Sequence, residues 1–187
     1  MKKNLLYLYL IIAAISAALT FSSCSTNQKG NEQTVKDTSA AQGGSLMQEG
    51  PAYDATKIDP NAPVTVITLR TTGNSMSEMK YDQKEIHVKA GSTVKLTLIN
   101  QAKDSSMQHN FILIEKGTAD NVAAEGLKAG LDNNYVSKIK DVLVNTTLVG
   151  PGMKAEIIFP APAKGTYDFI CSYPGHYKTM NGIFIVD

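Results

Sequence analysis

Three patterns of apolar and polar residues succeed one another along this chain. Residues 5–21 form an almost unbroken apolar run behind Lys2 and Lys3. A basic start followed by such a run is the pattern of a secretory leader. The run is also at the short limit for a helix spanning a hydrocarbon core of ~30 Å, which leaves a retained signal anchor as the alternative. Residues 25–60 then carry nine apolar positions among thirty-six, with Tyr53 their one aromatic. So little apolar surface cannot offset the entropy of ordering, and the stretch reads as a flexible tether. Its last residues, 53–60, are placed to pack on the folded part of the chain.

From residue 61 onward, apolar residues alternate with polar ones in short segments separated by turn residues. Residues 64–69, 76–81, 85–89, 93–100, 109–115, 144–149, 153–159, 166–171 and 180–186 read as strands. Residues 118–140 break the alternation: Val122, Leu127 and Leu131 recur at helical spacing, with Gly126 and Gly130 weakening the pattern. The prediction is an all-β, Greek-key antiparallel sandwich or barrel of about eight strands with a short helical insertion near 118–140. The domain organisation is a leader (1–23), a tether (24–60) and one folded domain (61–187).

Charge narrows the function by exclusion. Residues 61–187 hold thirteen basic and twelve acidic side chains, and the whole chain has a formal net charge of +1. No single-sign field attracts nucleic acid or a strongly acidic partner. The informative residues are the scarce ones: two Cys, three His and no Trp among 187. One disulfide would be the simple reading of two Cys, but each has a separate context.

Cys171 ends an apolar strand and begins the segment C-S-Y-P-G-H-Y-K-T-M, in which His176 and Met180 follow at x4 and x3 spacing. His109 opens another strand after a polar loop. A thiolate suits copper(I), imidazole suits both copper states, and a thioether serves as a weak axial ligand. Two His, one Cys and one Met are therefore the donor set of a blue copper site. Metal bonds of ~2.0–2.3 Å require donors to converge within about 4 Å. A Pro-Gly loop can turn three donors to one point, leaving His109 to arrive from a neighbouring strand. His87 sits between Ile86 and Val88, which face inward, so it faces solvent.

The segment resembles the copper-binding loop of azurins, within the cupredoxin family, and Gln108-His109-Asn110-Phe111 resembles the azurin segment that carries the first His. Residues 126–136 are similar to the azurin helical flap, and the resemblance covers roughly residues 62–187. It implies one type 1 copper held by His109, Cys171, His176 and Met180, with the Gln108 carbonyl on the second axial side. It implies that the Asn110 amide ties the two ligand segments together near Ser172. It makes the N–H groups of Asn110 and Tyr173 donors to the thiolate; Pro174 has no N–H to add. The ring edge of His176 would lie at the surface, inside an apolar docking patch of Met107, Tyr173, Pro174 and Tyr177. Phe111 stands where many azurins have a Trp. At the other end of the chain, Phe21-Ser22-Ser23-Cys24 resembles a bacterial lipobox, in which Cys24 receives the lipid. Cleavage elsewhere, with Cys24 left as a spare thiol, is the alternative.

These readings together describe an exported bacterial lipoprotein, anchored in a membrane through Cys24 and facing the periplasm or cell surface. Its domain carries one electron between redox protein partners, a donor and an acceptor, and has no small-molecule substrate. Copper storage or delivery is the alternative for the same donors. Copper oxidases and nitrite reductases need further His clusters, which three His do not supply. With Cys24 and Cys171 each occupied, the mature protein is expected to contain no disulfide.

Overall fold

The computed structural model describes residues 53–187. The leader, Cys24 and the tether as far as residue 52 lie outside the described residues. Nine strands form two sheets. The first holds β1 (Val64–Thr72), β2 (Lys80–Tyr81), β4 (Thr93–Asn100) and β7 (Lys154–Pro160), in the order β2-β1-β4-β7. The second holds β3 (Glu85–Val88), β5 (Ile112–Ile114), β6 (Val142–Asn145), β8 (Gly165–Ile170) and β9 (Asn181–Val186), in the order β3-β9-β8-β5-β6. The helical insertion is α1 (Ala119–Ala129) followed by a 3₁₀ turn, Leu131–Asn133.

Both sheets are mixed, which corrects the purely antiparallel expectation. Five pairings are antiparallel, whereas β1 runs parallel to β4 and β3 runs parallel to β9. After β2 the chain crosses from the first sheet into β3 of the second, then returns to the first as β4. Period-two alternation marks which face of a strand is buried but not the direction of its neighbour. The strand expected over 76–81 shrinks to Lys80–Tyr81, because the N–H groups of Glu78 and Met79 both turn back to the Ser75 carbonyl.

Strand alternation builds the core. Ile67 and Leu69 of β1, Val94, Leu96 and Leu98 of β4, and Phe159 of β7 face Tyr167 and Phe169 of β8 and Phe184 of β9. In β5 all three of Ile112, Leu113 and Ile114 are buried. Leu113 joins the main core, while Ile112 and Ile114 pack with Ile170 and with Val122 of α1 in a second cluster. A continuous apolar run is what a strand covered on both faces requires, and α1 supplies the outer cover. The glycine at 126 lets the helix sit close. A Cβ there would lie 2.3 Å from the Tyr135 carbonyl oxygen, so a residue that weakens the isolated helix permits its docking.

At one pole of the sandwich Tyr53 donates its hydroxyl to the Pro160 carbonyl at 2.8 Å. Burial raises its pKa above the ordinary tyrosine value. At the other pole lies a buried amide junction. Asn100, at the end of β4, donates through Nδ2 to the carbonyls of Met107 at 2.7 Å and Val149 at 3.0 Å. Its Oδ1 accepts from Thr71 Oγ1 at 3.1 Å and from the Ala102 N–H at 2.9 Å. Four partners, from β1, the loop after β4 and residue 149, meet on one side chain. Asn100→Ala strands several of them in the interior and is expected to destabilise the domain by roughly 3 kcal/mol, measured by denaturant unfolding.

Candidate metal centre

His109 stands outside β5, in an isolated two-residue bridge to Val149. Its N–H donates to the Val149 carbonyl at 3.1 Å, and the Val149 N–H returns the bond at 2.8 Å. The strand expected over 109–115 is thus reduced to Ile112–Ile114. The cause is Thr146, whose hydroxyl oxygen accepts the Phe111 N–H at 3.0 Å where a regular ladder would place a carbonyl. This break frees His109 from the pleat and aims its ring at the end of β8.

Cys171 follows the last residue of β8, and its N–H donates to the Met180 carbonyl at 3.0 Å. That bond closes the base of the loop. Within it the His176 N–H donates to Tyr173, while the N–H groups of Thr179 and Met180 both donate to the His176 carbonyl, at 3.0 and 2.8 Å. The loop folds back on His176, which drives the imidazole inward.

Three donor atoms meet as a result. Cys171 Sγ lies 3.9 Å from His109 Nδ1 and 3.7 Å from His176 Nδ1, and the two Nδ1 atoms are 3.2 Å apart. The point in their plane equidistant from all three is about 2.1 Å from each, the reach of a metal–nitrogen bond and close to the ~2.3 Å of a metal–sulfur bond. The residues therefore fit a single metal ion. Met180 is fully buried and belongs to the same apolar cluster as Cys171, Met107 and Phe111.

Burial sets the protonation of these groups. It lowers both imidazoles to about 4, with the neighbouring His176 adding to the effect on His109. Both rings are neutral at ordinary pH and offer lone pairs. Burial pushes the Cys171 thiol up to about 12, against the opposing pull of the Asn110 and Tyr173 N–H groups, which both donate to the sulfur. A cation entering the triangle displaces the thiol proton. His109 Nε2 is buried without a hydrogen-bond partner among the described residues. The ring is accordingly held by its backbone bridge and by packing.

Asn110 bonds to Ser172 and to the flap. Its Oδ1 accepts the Ser172 N–H at 2.9 Å, and its Nδ2 donates to Ser172 Oγ at 3.0 Å and to the Asn134 carbonyl at 2.9 Å. Ser172 Oγ in turn donates to the Tyr135 carbonyl at 2.6 Å. Asn134 and Tyr135 hold positive φ angles of 56° and 55°, and this left-handed turn aims both carbonyls at the ligand segments. Neither residue, nor Thr146, stood out in the sequence as a support for the site. An Asn two residues before the end of the flap was the one local signal, since Asn tolerates this conformation.

Two expectations about the surface are corrected. Met107 is 6% exposed and lies in the core, so it belongs to no docking patch. His176 is only 1% exposed, and its ring edge is covered rather than displayed. The Tyr173 ring lies 4.7 Å from it, centroid to centroid, and the methyl of the half-exposed Met76 lies against Gly175. The helical turn carrying Met76 stands where a strand was expected, which is why its reach to the loop was not visible. Tyr173 and Pro174 are half-buried, and Tyr177 is tied through its hydroxyl to Asp120 of α1 at 2.8 Å. His87 is exposed, as its alternation implied, and sits 2.6 Å from Glu85.

Comparison with known proteins agrees with this geometry. Residues 67–187 match the family described as copper binding proteins, plastocyanin/azurin family. The chain is 36% identical over 130 residues to auracyanin-A of Chloroflexus aurantiacus, covering 68% of this chain and 76% of that protein. It is 34% identical over 122 residues to azurin iso-2 of Methylomonas sp., covering 62% of this chain and 95% of that protein. Among solved structures it is similar to auracyanin A, described as a "blue" copper protein, with a TM-score of 0.60 and 35% identity over 66% of this chain and 99% of that one.

The metal-free domain is expected to lose stability as the pH falls from about 6.5 towards 4. His109 and His176 have folded-state values depressed to about 4 from an ordinary 6.5, so the unfolded chain binds protons that the folded chain refuses. The stabilisation is complete above about 6.5 and lost on acidification through the folded values. Denaturant midpoints recorded across that range, against His109→Gln and His176→Gln, check it.

Proposed function

The chain belongs to the plastocyanin/azurin family of copper-binding proteins, and from that premise we propose that its domain is a one-electron carrier holding a single type 1 copper. The observation that carries this reading is the buried triangle of His109 Nδ1, His176 Nδ1 and Cys171 Sγ. Copper bound there would supply one-electron chemistry between Cu(I) and Cu(II). His109, His176 and Cys171 would hold it through three strong donors, with Met180 as a further, weak thioether donor. The Gln108 carbonyl would be a further candidate donor.

All four side chains are at most 1% exposed. A donor set this enclosed leaves no position for a substrate, which supports electron transfer over catalysis. It also supports a carrier over a storage or delivery protein, because ligand exchange would have to open the loop. Two hydrogen bonds between Asn110 and Ser172, one donated by each, keep the ligand segments at one separation, so little has to move when the charge changes.

Partners, a redox donor and an acceptor, approach over the ligand loop. A shallow groove of about 180 Å³ runs between α1 and residues 173–177, bordered by Leu127, Tyr173, Pro174 and Tyr177. Leu127 and Met76 are both half-exposed or more. This apolar surface, without Met107, is the docking patch, and electrons cross the thin cover of His176 through it.

Cys24 carries the lipid, and the protein is an exported, membrane-anchored lipoprotein facing the periplasm or cell surface. The chain enters the domain, residues 61–187, at the pole where Tyr53 bonds Pro160, and Pro160 pairs with Thr93 at the start of β4. The donors lie beyond Asn100 at the other end of β4, about 23 Å away at ~3.3 Å per residue. The described chain thus enters the domain at the end away from the ligand loop.

Copper(II) added to the metal-free domain is expected to give an intense blue thiolate-to-copper absorption band, abolished in Cys171→Ser. A colourless complex, or a band that survives the substitution, contradicts the carrier reading. Slow copper loss to a chelator in both oxidation states separates the carrier from a delivery protein. For the anchor, Cys24→Ala is expected to move the exported protein from the detergent phase to the aqueous phase on detergent partitioning. Unchanged partitioning would point to a retained signal helix.

A further inference from the structure

Lys84 stands between β2 and β3, outside the donor set and its hydrogen-bonded supports. Its Nζ donates to the Thr179 carbonyl at 3.0 Å and to the Asn181 carbonyl at 2.9 Å. These are the two residues flanking Met180. The main chain of Lys84 grips the same place. Its carbonyl accepts the Ile183 N–H at 2.9 Å, and a Cβ on Gly182 would come within 2.7 Å of that carbonyl oxygen and 2.2 Å of the Phe169 ring. Lys84 is thus fastened to both ends of a five-residue stretch centred near the axial donor.

The ammonium is also uncompensated. Lys116 pairs with Asp168 and Lys178 with Asp120, but Lys84 has no carboxylate within ion-pairing distance among the described residues. Its two acceptors are neutral carbonyls. A long lysine side chain loses rotamer entropy when fixed this way, and the net positive charge stays at the end of the ligand loop.

We propose that Lys84 is a positioning residue for Met180, clamping the main chain on both sides of the axial donor and biasing the site towards its reduced state. This rests on the reading of Met180 as the axial ligand. The physical ground is that an axial thioether bond is long and weak, so its length is set by the protein more than by the metal, and it tunes the potential. A nearby positive charge disfavours the more positive oxidation state.

Two substitutions test the clamp and its charge together. Lys84→Met keeps the aliphatic stem but deletes the charge and both hydrogen bonds; Lys84→Arg keeps charge and donors. In the metal-free protein, amide hydrogen exchange at Met180 and Asn181 is expected to accelerate several-fold in Lys84→Met and to stay near wild type in Lys84→Arg. In the copper-loaded protein, Lys84→Met is expected to lower the reduction potential and alter the relative intensities of the visible bands, with Lys84→Arg restoring both. Should Lys84→Met fail to fold, Lys84→Leu, which also deletes the charge and both hydrogen bonds, is read in the same way. Wild-type exchange, potential and spectrum in the substituted protein overturn the proposal. A lower melting temperature with unchanged potential and spectrum overturns it too, because it leaves Lys84 a merely structural role. A wild-type protein that binds copper without a blue band overturns the carrier reading instead, and the exchange comparison on the metal-free protein still decides the clamp.

Discussion

The side-chain amide of Asn110 is the constraint on which the centre depends. His109 and Cys171 are 62 residues apart and come from different strand ends. Between them stands one planar group whose oxygen and nitrogen both bond to Ser172, and whose nitrogen also reaches Asn134. The main-chain carbonyl of Asn110 accepts the buried Tyr81 hydroxyl at 2.5 Å, which fastens the junction to the first sheet. A buried amide with every polar atom paired specifies a distance between segments in a way that apolar packing does not. The triangle of donors is rigid because this rivet stands directly behind it.

The same junction explains why the metal residues could be read from the sequence and their surroundings could not. Cys171, His176 and Met180 lie on one short stretch, so spacing alone marked them as candidate donors. His109 was recognisable through the residues beside it. The supports of the site come from afar: Thr146 interrupts β5, and Asn134 and Tyr135 turn their carbonyls inward from the end of the flap. Such contacts arise from tertiary placement of loops, for which a sequence carries no periodic signal. Strand positions were legible because alternation records burial. Strand direction was not, and the parallel pairs of β1 with β4 and β3 with β9 are visible only once the chain is seen to cross between sheets.

Met107 and His176 show the limit in a different form. The likeness of the ligand loop to a known one puts His176 at the surface, and Met107 reads as part of an exposed apolar patch beside it. In this chain Met107 is drawn into the core because Asn100 holds its carbonyl, and His176 is covered by Tyr173 and the turn of Met76. That turn, residues 75–79, reads as an alternating strand, yet two hydrogen bonds to Ser75 curl it towards the loop. This local turn thus helps to cover His176 without touching the donors.

Burial has an electrostatic consequence that links the fold to the carrier role. The imidazoles are neutral and the sulfur, once its proton has gone, carries one negative charge. Copper(I) held there would make a neutral cluster, whereas copper(II) would leave one net positive charge in an interior where His109, Cys171 and Met180 are fully buried. An unpaired charge in a medium of low dielectric is penalised. The thiolate charge is already partly satisfied by two backbone N–H groups, which weakens its compensation of the oxidised state further. Enclosure by the sandwich therefore does two things at once. It excludes competing ligands, and it favours the reduced form, so that the protein takes up an electron readily and yields it to a partner of higher potential.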